Sequence, residues 1–528
     1  MAAIEPLLDN NRLLRAAFDT RIGDLRLWEL VAATRREVLS VAAEYTASYR
    51  DVERPDDMAD WIARPIVMGG HQPTLFHPGV WLKNFVAAAY ATRLGGTAIN
   101  LVVDTDRCGN PSVGVPVASD PRADSDVHLE AIPFDVGGQE TAWEERGVLD
   151  TDCFRSFGSR ACQVIQPFVP EPILRRWWPL VVERAAASHR LGLGIAQARH
   201  ALEGRLGCDT LELPVSEMMR LPTVMVFTGY LLSRARELHE AYNASLAAYR
   251  RRHRQRGVGR PMPDLLCLPA DDSGGSWYEV PWWIWSKDDH RRRRVYAHLG
   301  PSDTLTLSDL ETVRVELPIS PGTNPARWVD ALSRLEEHEM RLRPRAILTT
   351  LFARVLVADL FVHGIGGAAY DQITDDIVRR LTGCDPPRYA VVSGTLRLPA
   401  GRGEDPAIER ARADGLLRDL AFHPERHLEP LAGQPEEVRR LVERKWQWID
   451  TFPTPALARR RCAEIRSANE ALAAFTMPLR ERTLAGQASL ASRIRGWKVL
   501  SSREFSWCFF NEKELKPFLL LENTEKIA

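Results

Sequence analysis

The stretch from Pro65 to Asp106 constrains the fold more than any other part of the chain. A short apolar run, Pro65-Ile66-Val67-Met68, leads into the turn Gly70-His71-Gln72-Pro73. A helical segment carrying Lys83 and Asn84 comes next, Gly95-Gly96 stops it, and a second apolar run from Thr97 to Val103 closes on Asp104-Thr105-Asp106. Strand, glycine turn, helix, strand is the grammar of a βαβ unit, whose right-handed crossover makes its two strands parallel neighbours. His71 and Asp104 each follow the carboxyl end of a strand, where open α/β sheets bind small ligands. Topology alone therefore predicts a site at this edge, with both side chains facing one crevice.

Composition bounds the class. At 528 residues, 45% apolar and 26% charged, the chain reads as a soluble globular protein of several units with ample surface to bury. Its 69 basic and 70 acidic residues leave a net charge of −1, so no global field draws it to nucleic acid or to an anionic membrane. Met1-Ala2-Ala3-Ile4-Glu5 lacks the charged-then-apolar pattern of a signal peptide, and no run is long and apolar enough to span a bilayer. The expected location is cytoplasmic. The eight cysteines are dispersed with no Cys-x-x-Cys pair, which removes zinc-knuckle and thioredoxin readings and predicts reduced thiols.

The pattern divides the chain into six segments. Residues 1–60 read as an N-terminal helical arm, because Leu14, Phe18, Ile22, Leu25 and Trp28 recur at three- and four-residue spacing. Residues 61–214 form the first half of a Rossmann-like core, with one clear helix near 173–202. A helical insertion occupies 215–262 and turns basic at Arg250 to Arg256. Residues 263–335 read as a small β-rich segment with turns at Ser273-Gly274-Gly275 and Pro301-Ser302-Asp303. The second half of the core, 336–400, opens with Arg343-Pro344-Arg345, contains the glycine turn His363-Gly364-Ile365-Gly366-Gly367 and a helix capped by Gly383, and ends with the strand 389–392 before Ser393. Residues 401–528 form a C-terminal helical arm. There Ile465, Leu472, Phe475 and Leu479 suit a helical hairpin or short coiled coil interrupted near Pro478, and this stripe is expected to pack on another helix, either of the same chain or of a second subunit in a homodimer.

The chemistry concentrates at the first unit. Backbone amides at a helix start attract anionic oxygens, and a histidine there, His71, can donate to charge developing on a transferring phosphate. Lys83 would neutralise an anion. Asp104 and Asp106 admit two readings: an Asp-x-Asp ending an apolar strand can hold Mg²⁺ or Mn²⁺, as in nucleotide-sugar glycosyltransferases, or it can bind an amine or a ribose. Gly364, Gly366 and Gly367 open the second half, where the opposite wall of a nucleotide crevice would lie, and Ser393 and Thr395 come after the next strand. The basic clusters at Arg250 to Arg256 and Arg291 to Arg294 read as solvated or intersubunit faces. No Gly-x-Ser-x-Gly elbow, Walker loop or His-Glu-x-x-His occurs, which removes the commonest serine hydrolase, P-loop and zincin readings.

Gly70-His71-Gln72, Phe76, Lys83 and Asp104 to Asp106 resemble the N-terminal site of the bacillithiol-synthase family, the BshC-type cysteine-adding enzymes. Ile365-Gly366-Gly367 with Tyr370 is similar to that family's second glycine turn, with Ala369 where the family has an acidic residue. The resemblance implies a HUP-type nucleotide-binding core like that of class I aminoacyl-tRNA synthetases, with ATP or another nucleotide in the crevice and Mg²⁺ beside it. It also implies a ligase or transferase that joins a small amine or thiol amino acid to a small-molecule acceptor. His71, Lys83 and Asp104 would carry the chemistry, and Gly70, Gln72, Asn84, Asp106, Gly364, Gly366, Gly367, Tyr370 and Ser393 would bind substrate or nucleotide. A non-catalytic nucleotide-binding module with an assembly arm remains the alternative from another class.

Overall fold

The computed structural model describes residues 4–118, 127–254, 262–270, 275–300, 304–399, 404–430 and 433–520. The turn residues 273–274 and 301–303, the last two positions, 255–256, of the Arg250 to Arg256 cluster and the linker residues 400–403 lie outside them.

The N-terminal segment is not one helix. It is α1 (Ile4–Ala16), a minimal hairpin of β1 (Arg21–Ile22) and β2 (Leu25–Arg26), then α2 (Leu27–Ala47) and α3 (Met58–Ala63). Gly23 turns the hairpin with φ +60, beside the Pro325 ring, which leaves no room for a side chain. The βαβ unit comes next, as expected: β3 (Ile66–His71), α4 (Pro78–Arg93) and β4 (Thr97–Val102). Pro78 occupies the first turn of α4, the His77 ring caps it by accepting from the Gly79 amide (3.1 Å), and Gly95 with φ +61 ends it.

A side hairpin, β5 (Ser112–Val117) and β6 (His128–Pro133), leads to α5 (Thr151–Ile165), α6 (Leu174–Ser188) and α7 (Leu191–Arg205). The single helix expected at 173–202 is thus two, broken where His189 takes a left-handed conformation, φ 56. After the core strand β7 (Leu211–Pro214), the segment expected as a helical insertion contains α8 (Val215–Met218), α9 (Pro222–Ser233) and α10 (Ala235–Arg252).

Strands β8 (Cys267–Ala270), β9 (Gly275–Ser286), β10 (Arg293–Leu299), β11 (Leu305–Ser308) and β12 (Arg314–Leu317) precede α11 (Pro325–Glu337) and β13 (Met340–Pro344). They form an antiparallel sheet ordered β12-β11-β10-β9-β13, with β8 also on β9. Arg343-Pro344 therefore belongs to this sheet and not to the second half of the core, a correction to the expected boundary at 336. The core resumes with α12 (Ala346–Phe352), a π-helical turn (Ala353–Val357), β14 (Leu360–His363), α13 (Ile365–Thr382), capped by Gly383 at φ 71, and β15 (Tyr389–Val391).

Five parallel strands make the central sheet, in the order β15-β14-β3-β4-β7. Its faces are covered on both sides, as parallel sheets require. Ile66, Met68, Ile99 and Leu101 point into a large core shared with α2 and α9, whereas Val67, Ala98 and Val362 pack with Ala87 and Ala91 of α4 and Ile4 and Leu8 of α1. The last segment contains α14 (Pro406–Phe422), α15 (Glu436–Asp450), α16 (Ala458–Leu500) and α17 (Glu512–Leu519). Helix α16 runs through Pro478 unbroken, contrary to the expected interruption, and Leu472 packs with Val438 and Val442 of α15. Among the described residues no helix is long and apolar enough to cross a membrane.

Candidate functional site

The sheet order generates the site. Along the chain the parallel strands appear as β3, β4, β7, β14, β15, so the sheet grows one way from β3 to β7 and then the other way from β14 to β15. Beyond the carboxyl ends of β3 and β14 the flanking segments diverge and leave a crevice, the usual ligand position in an open α/β sheet. Here it encloses about 610 Å³. Gly70, His71 and Gln72 line it from β3, Val80 and Lys83 from α4, Asp106 from beyond β4, and Gly364, Gly366, Gly367 and Tyr370 from the start of α13, with Ser393 beyond β15. Ten of the twelve residues proposed from sequence thus meet in one cavity.

Lys83 is the most informative of them. Its side chain is buried, with 7% of the residue exposed, and Nζ donates to the Gly70 carbonyl (3.1 Å). Among the described residues it has no carboxylate partner. Burial, reinforced by the Arg199 guanidinium, pushes its ammonium down to about 8. A buried cation with no counter-charge is costly unless something anionic visits it. Gly364 begins α13 beside the Lys83 stem: a methyl on it would lie 3.8 Å from Lys83 Cδ. The positive end of an 18-residue helix and a lone ammonium therefore converge on one spot.

His71 is half-buried at the end of β3, edge-on to Phe76 with ring centroids 4.6 Å apart. Its Nδ1 lies 3.0 Å from the Gln72 carbonyl oxygen. A carbonyl only accepts, so Nδ1 carries the hydrogen and Nε2 the lone pair. Burial, followed by the Lys83 charge, pushes the ring down to about 3, so it is neutral at pH 7. With Nδ1–H on the Gln72 carbonyl, the neutral ring turns the Nε2 lone pair to the crevice and donates there only when it takes up a second proton.

Asp104 and Asn84 face elsewhere. Asp104 is 1% exposed; its Oδ1 accepts from the Ser216 amide (3.0 Å) and its Oδ2 from the Ser216 hydroxyl, so it tethers the start of α8. Burial pushes its carboxyl up to about 6 against those hydrogen bonds. Asn84 donates to Glu203 (2.8 Å), which also accepts from Trp81 Nε1 (2.5 Å) and pairs with Arg199. Arg199 in turn pairs with Glu212. This buried charge cluster lies behind the crevice and locks α4 to α7. The side chains of both residues belong to the scaffold because their strand-end and helix positions turn them away from the cavity.

Asp106 does line the crevice, but its Oδ2 accepts from Gln72 Nε2 (2.6 Å) and its Oδ1 pairs with Arg292 (2.8 Å). Asp104 and Asp106 thus serve different partners and do not converge as a metal pair. Among the described residues no group of three or more His, Cys, Asp or Glu side chains is placed to hold a metal ion.

Four further groups escape a local reading. His363 ends β14 and its Nε2 bonds to Asp371 (2.9 Å), which also pairs with Arg354 (2.5 Å) and accepts from Thr350 (2.7 Å). Burial would raise the Asp371 carboxyl, but His363 and Arg354 override it and hold it well below the usual range. Thr349 lines the crevice with a buried hydroxyl that has no hydrogen-bond partner among the described residues. His77 and Arg503 lie at its edge, 3.3 Å apart. The pairing of His363 with Asp371 carries a weak signal, a histidine before a glycine turn with an aspartate two helical turns on. Arg503 carries none, because it reaches the crevice from more than 400 positions downstream of His77.

Compared with known proteins, the chain matches no family model and has no significant match among curated proteins.

Proposed function

We propose that the crevice binds the phosphate end of a nucleotide, and that the protein is a ligase or transferase joining a small amine or thiol amino acid to a small-molecule acceptor, in the manner of the bacillithiol-synthase family. Lys83 carries this reading: a buried ammonium with no carboxylate partner among the described residues, at the switch point of a parallel sheet and beside a helix N-terminus, is the arrangement that phosphate oxygens satisfy. The strand order supports a HUP-type core. Numbered along the chain it is 3-2-1-4-5, the order of the first five strands of the dinucleotide-binding fold.

In this reading Lys83 and the α13 amides at Gly364 to Gly367 hold phosphate oxygens, with Mg²⁺ as an added counter-charge carried in by the nucleotide. ATP supplies the activating phosphoryl or nucleotidyl group. Gln72 and Asp106 present polar atoms to the second substrate on the α4 side, and Ser393, Tyr370 and the unpartnered Thr349 hydroxyl present theirs on the other. The nucleotide-sugar alternative loses its metal pair because Asp104 is committed to Ser216. A homodimer through α15 and α16 remains part of the proposal, and light scattering tests it: a monomer at micromolar concentration removes it.

The site is tested by thermal shift with ATP, a nucleotide sugar and cysteine, each with and without Mg²⁺. A ligand at 100 times its dissociation constant stabilises the fold by about 2.7 kcal/mol. We expect ATP to raise the melting temperature of the protein and not that of Lys83→Met. No shift with any nucleotide, or equal shifts in both proteins, overturns the reading.

A further inference from the structure

His71 does something more specific than line the cavity. Its Nδ1–H is spent on the Gln72 carbonyl, so the only ring atom left for a ligand is Nε2, which carries a lone pair. Around it the other charges favour anions. Lys83 comes from α4 and Arg503, paired with Glu504, from the C-terminal segment, and Arg199 acts on His71 from α7; burial lowers the His77 ring from its ordinary value, so it adds no positive charge at pH 7. The acidic groups nearby are engaged: Asp106 with Gln72 and Arg292, and Asp371 with His363 and Arg354 across the crevice. An anion drawn in by Lys83 therefore meets one lone pair pointing at its own lone pairs. The clash is relieved only if a proton sits between them.

We propose, resting on the phosphate-site reading above, that His71 makes the crevice a proton-coupled phosphate site that binds one proton with each terminal phosphate and discriminates against sulfate. The proton must reside on the anion. A monohydrogen phosphate donates its P–OH to Nε2 directly, and a terminal phosphoryl group that is ionised in solution is bound in its monohydrogen form, taking up one proton from solvent as it binds. The neighbouring charge makes this exchange accessible: a phosphoryl group has its second ionisation near 6, whereas sulfate carries no proton at neutral pH and brings none. Sulfate matches phosphate in size and shape, so only the protonation chemistry separates them.

The experiment uses the full chain and isothermal titration calorimetry at pH 7.0, where Lys83 is mostly protonated and contributes little proton exchange. Phosphate and sulfate are titrated separately, and Mg²⁺-free ATP is titrated in two buffers of different ionisation enthalpy to count protons. The expected result is at least a tenfold preference for phosphate over sulfate, and uptake of close to one proton per ATP. In His71→Gln the side-chain amide places an N–H near the Nε2 position, so the variant should take up no proton and bind sulfate about as well as phosphate. Anion binding by the wild type with equal phosphate and sulfate affinity and no proton uptake overturns the proton-coupled site while leaving the phosphate reading intact. Binding of none of the three probes overturns the phosphate reading and this inference with it.

Discussion

At the scale of residues, the crevice stores its cost in Lys83. Between pH 8 and pH 10.5 the unfolded chain keeps a proton on this lysine that the folded protein has released, so the penalty is complete below pH 8 and is relieved as pH rises through that window. A displacement from 10.5 to about 8 corresponds to on the order of 3 kcal/mol. Lys83→Met keeps the length and burial of the stem and removes the charge. Urea denaturation at pH 7 should show the variant more stable by about 1 to 3 kcal/mol, with the gap closing by pH 10, while its affinity for ATP falls at least about a hundredfold. A variant that is less stable at pH 7 would assign Lys83 to the scaffold. Asp104 should behave in the opposite way. Its carboxyl is raised to about 6, so the folded state holds a proton that the unfolded chain has lost between pH 4 and 6, and stability is lost as pH rises across that window. Asp104→Asn preserves both contacts with Ser216, accepting from its amide and donating to its hydroxyl. We expect this variant to flatten that pH dependence and to leave ATP affinity within about twofold.

At the scale of elements, the first turn of α13 is where packing and site coincide. A methyl on Gly366 meets nothing within 4 Å, whereas one on Gly367 would lie 2.9 Å from His363 Nδ1. Gly366→Ala should therefore stabilise the protein by about 0.5 to 1 kcal/mol through lower unfolded-state entropy. Gly367→Ala should cost about 1 to 3 kcal/mol, because His363 must leave Asp371 and expose a buried carboxylate to an incomplete set of partners. Equal effects in urea melts would contradict the geometry. The elements that sequence makes legible are those fixed by neighbours in the chain. Pro65 to Val103 gives a strand, a proline-started helix and a glycine stop within 40 positions, and it places His71, Lys83 and the crevice together. Where local pattern misleads, distant partners decide. Leu25 and Trp28 fit a helical spacing with Phe18 and Ile22, yet they are exposed, because Gly23 reverses the chain between them. Strand β13 reads as core because the core helix α12 comes directly after it, and it pairs instead with β9, 60 positions earlier. Asp104 stands at the expected sheet edge, but its rotamer is set by Ser216, 112 positions away.

At the scale of the whole molecule, the crevice is completed by the far end of the chain. The segment after α16 returns to the first βαβ unit: the Trp507 amide donates to the Phe76 carbonyl (2.9 Å), and the Trp507 ring lies 4.2 Å from that of Trp81 and 4.5 Å from that of Trp177. Phe518 closes over Gly394, whose carbonyl leaves no space for a side chain on Gly79 at the start of α4. This tail fixes the mouth of the cavity between His77 and Arg503, and nothing in the local sequence announces it. The segment from α14 to α16, in contrast, carries Trp446 on α15 and Phe452 in the loop after it at 49% and 79% exposure. Two tryptophans in the same region should thus behave very differently. Trp507→Ala removes a fully buried ring from a continuous aromatic cluster and should cost about 3 to 5 kcal/mol, lowering ATP affinity as well because Phe76 and Arg503 lose their anchor. Trp446→Ala should change monomer stability by less than about 0.5 kcal/mol and leave ATP affinity untouched. Urea melts paired with calorimetric titration check both. If Trp507→Ala loses stability while ATP affinity is unchanged, the tail is a structural clasp alone; if both hold at wild-type values, the C-terminal segment does not close on the crevice.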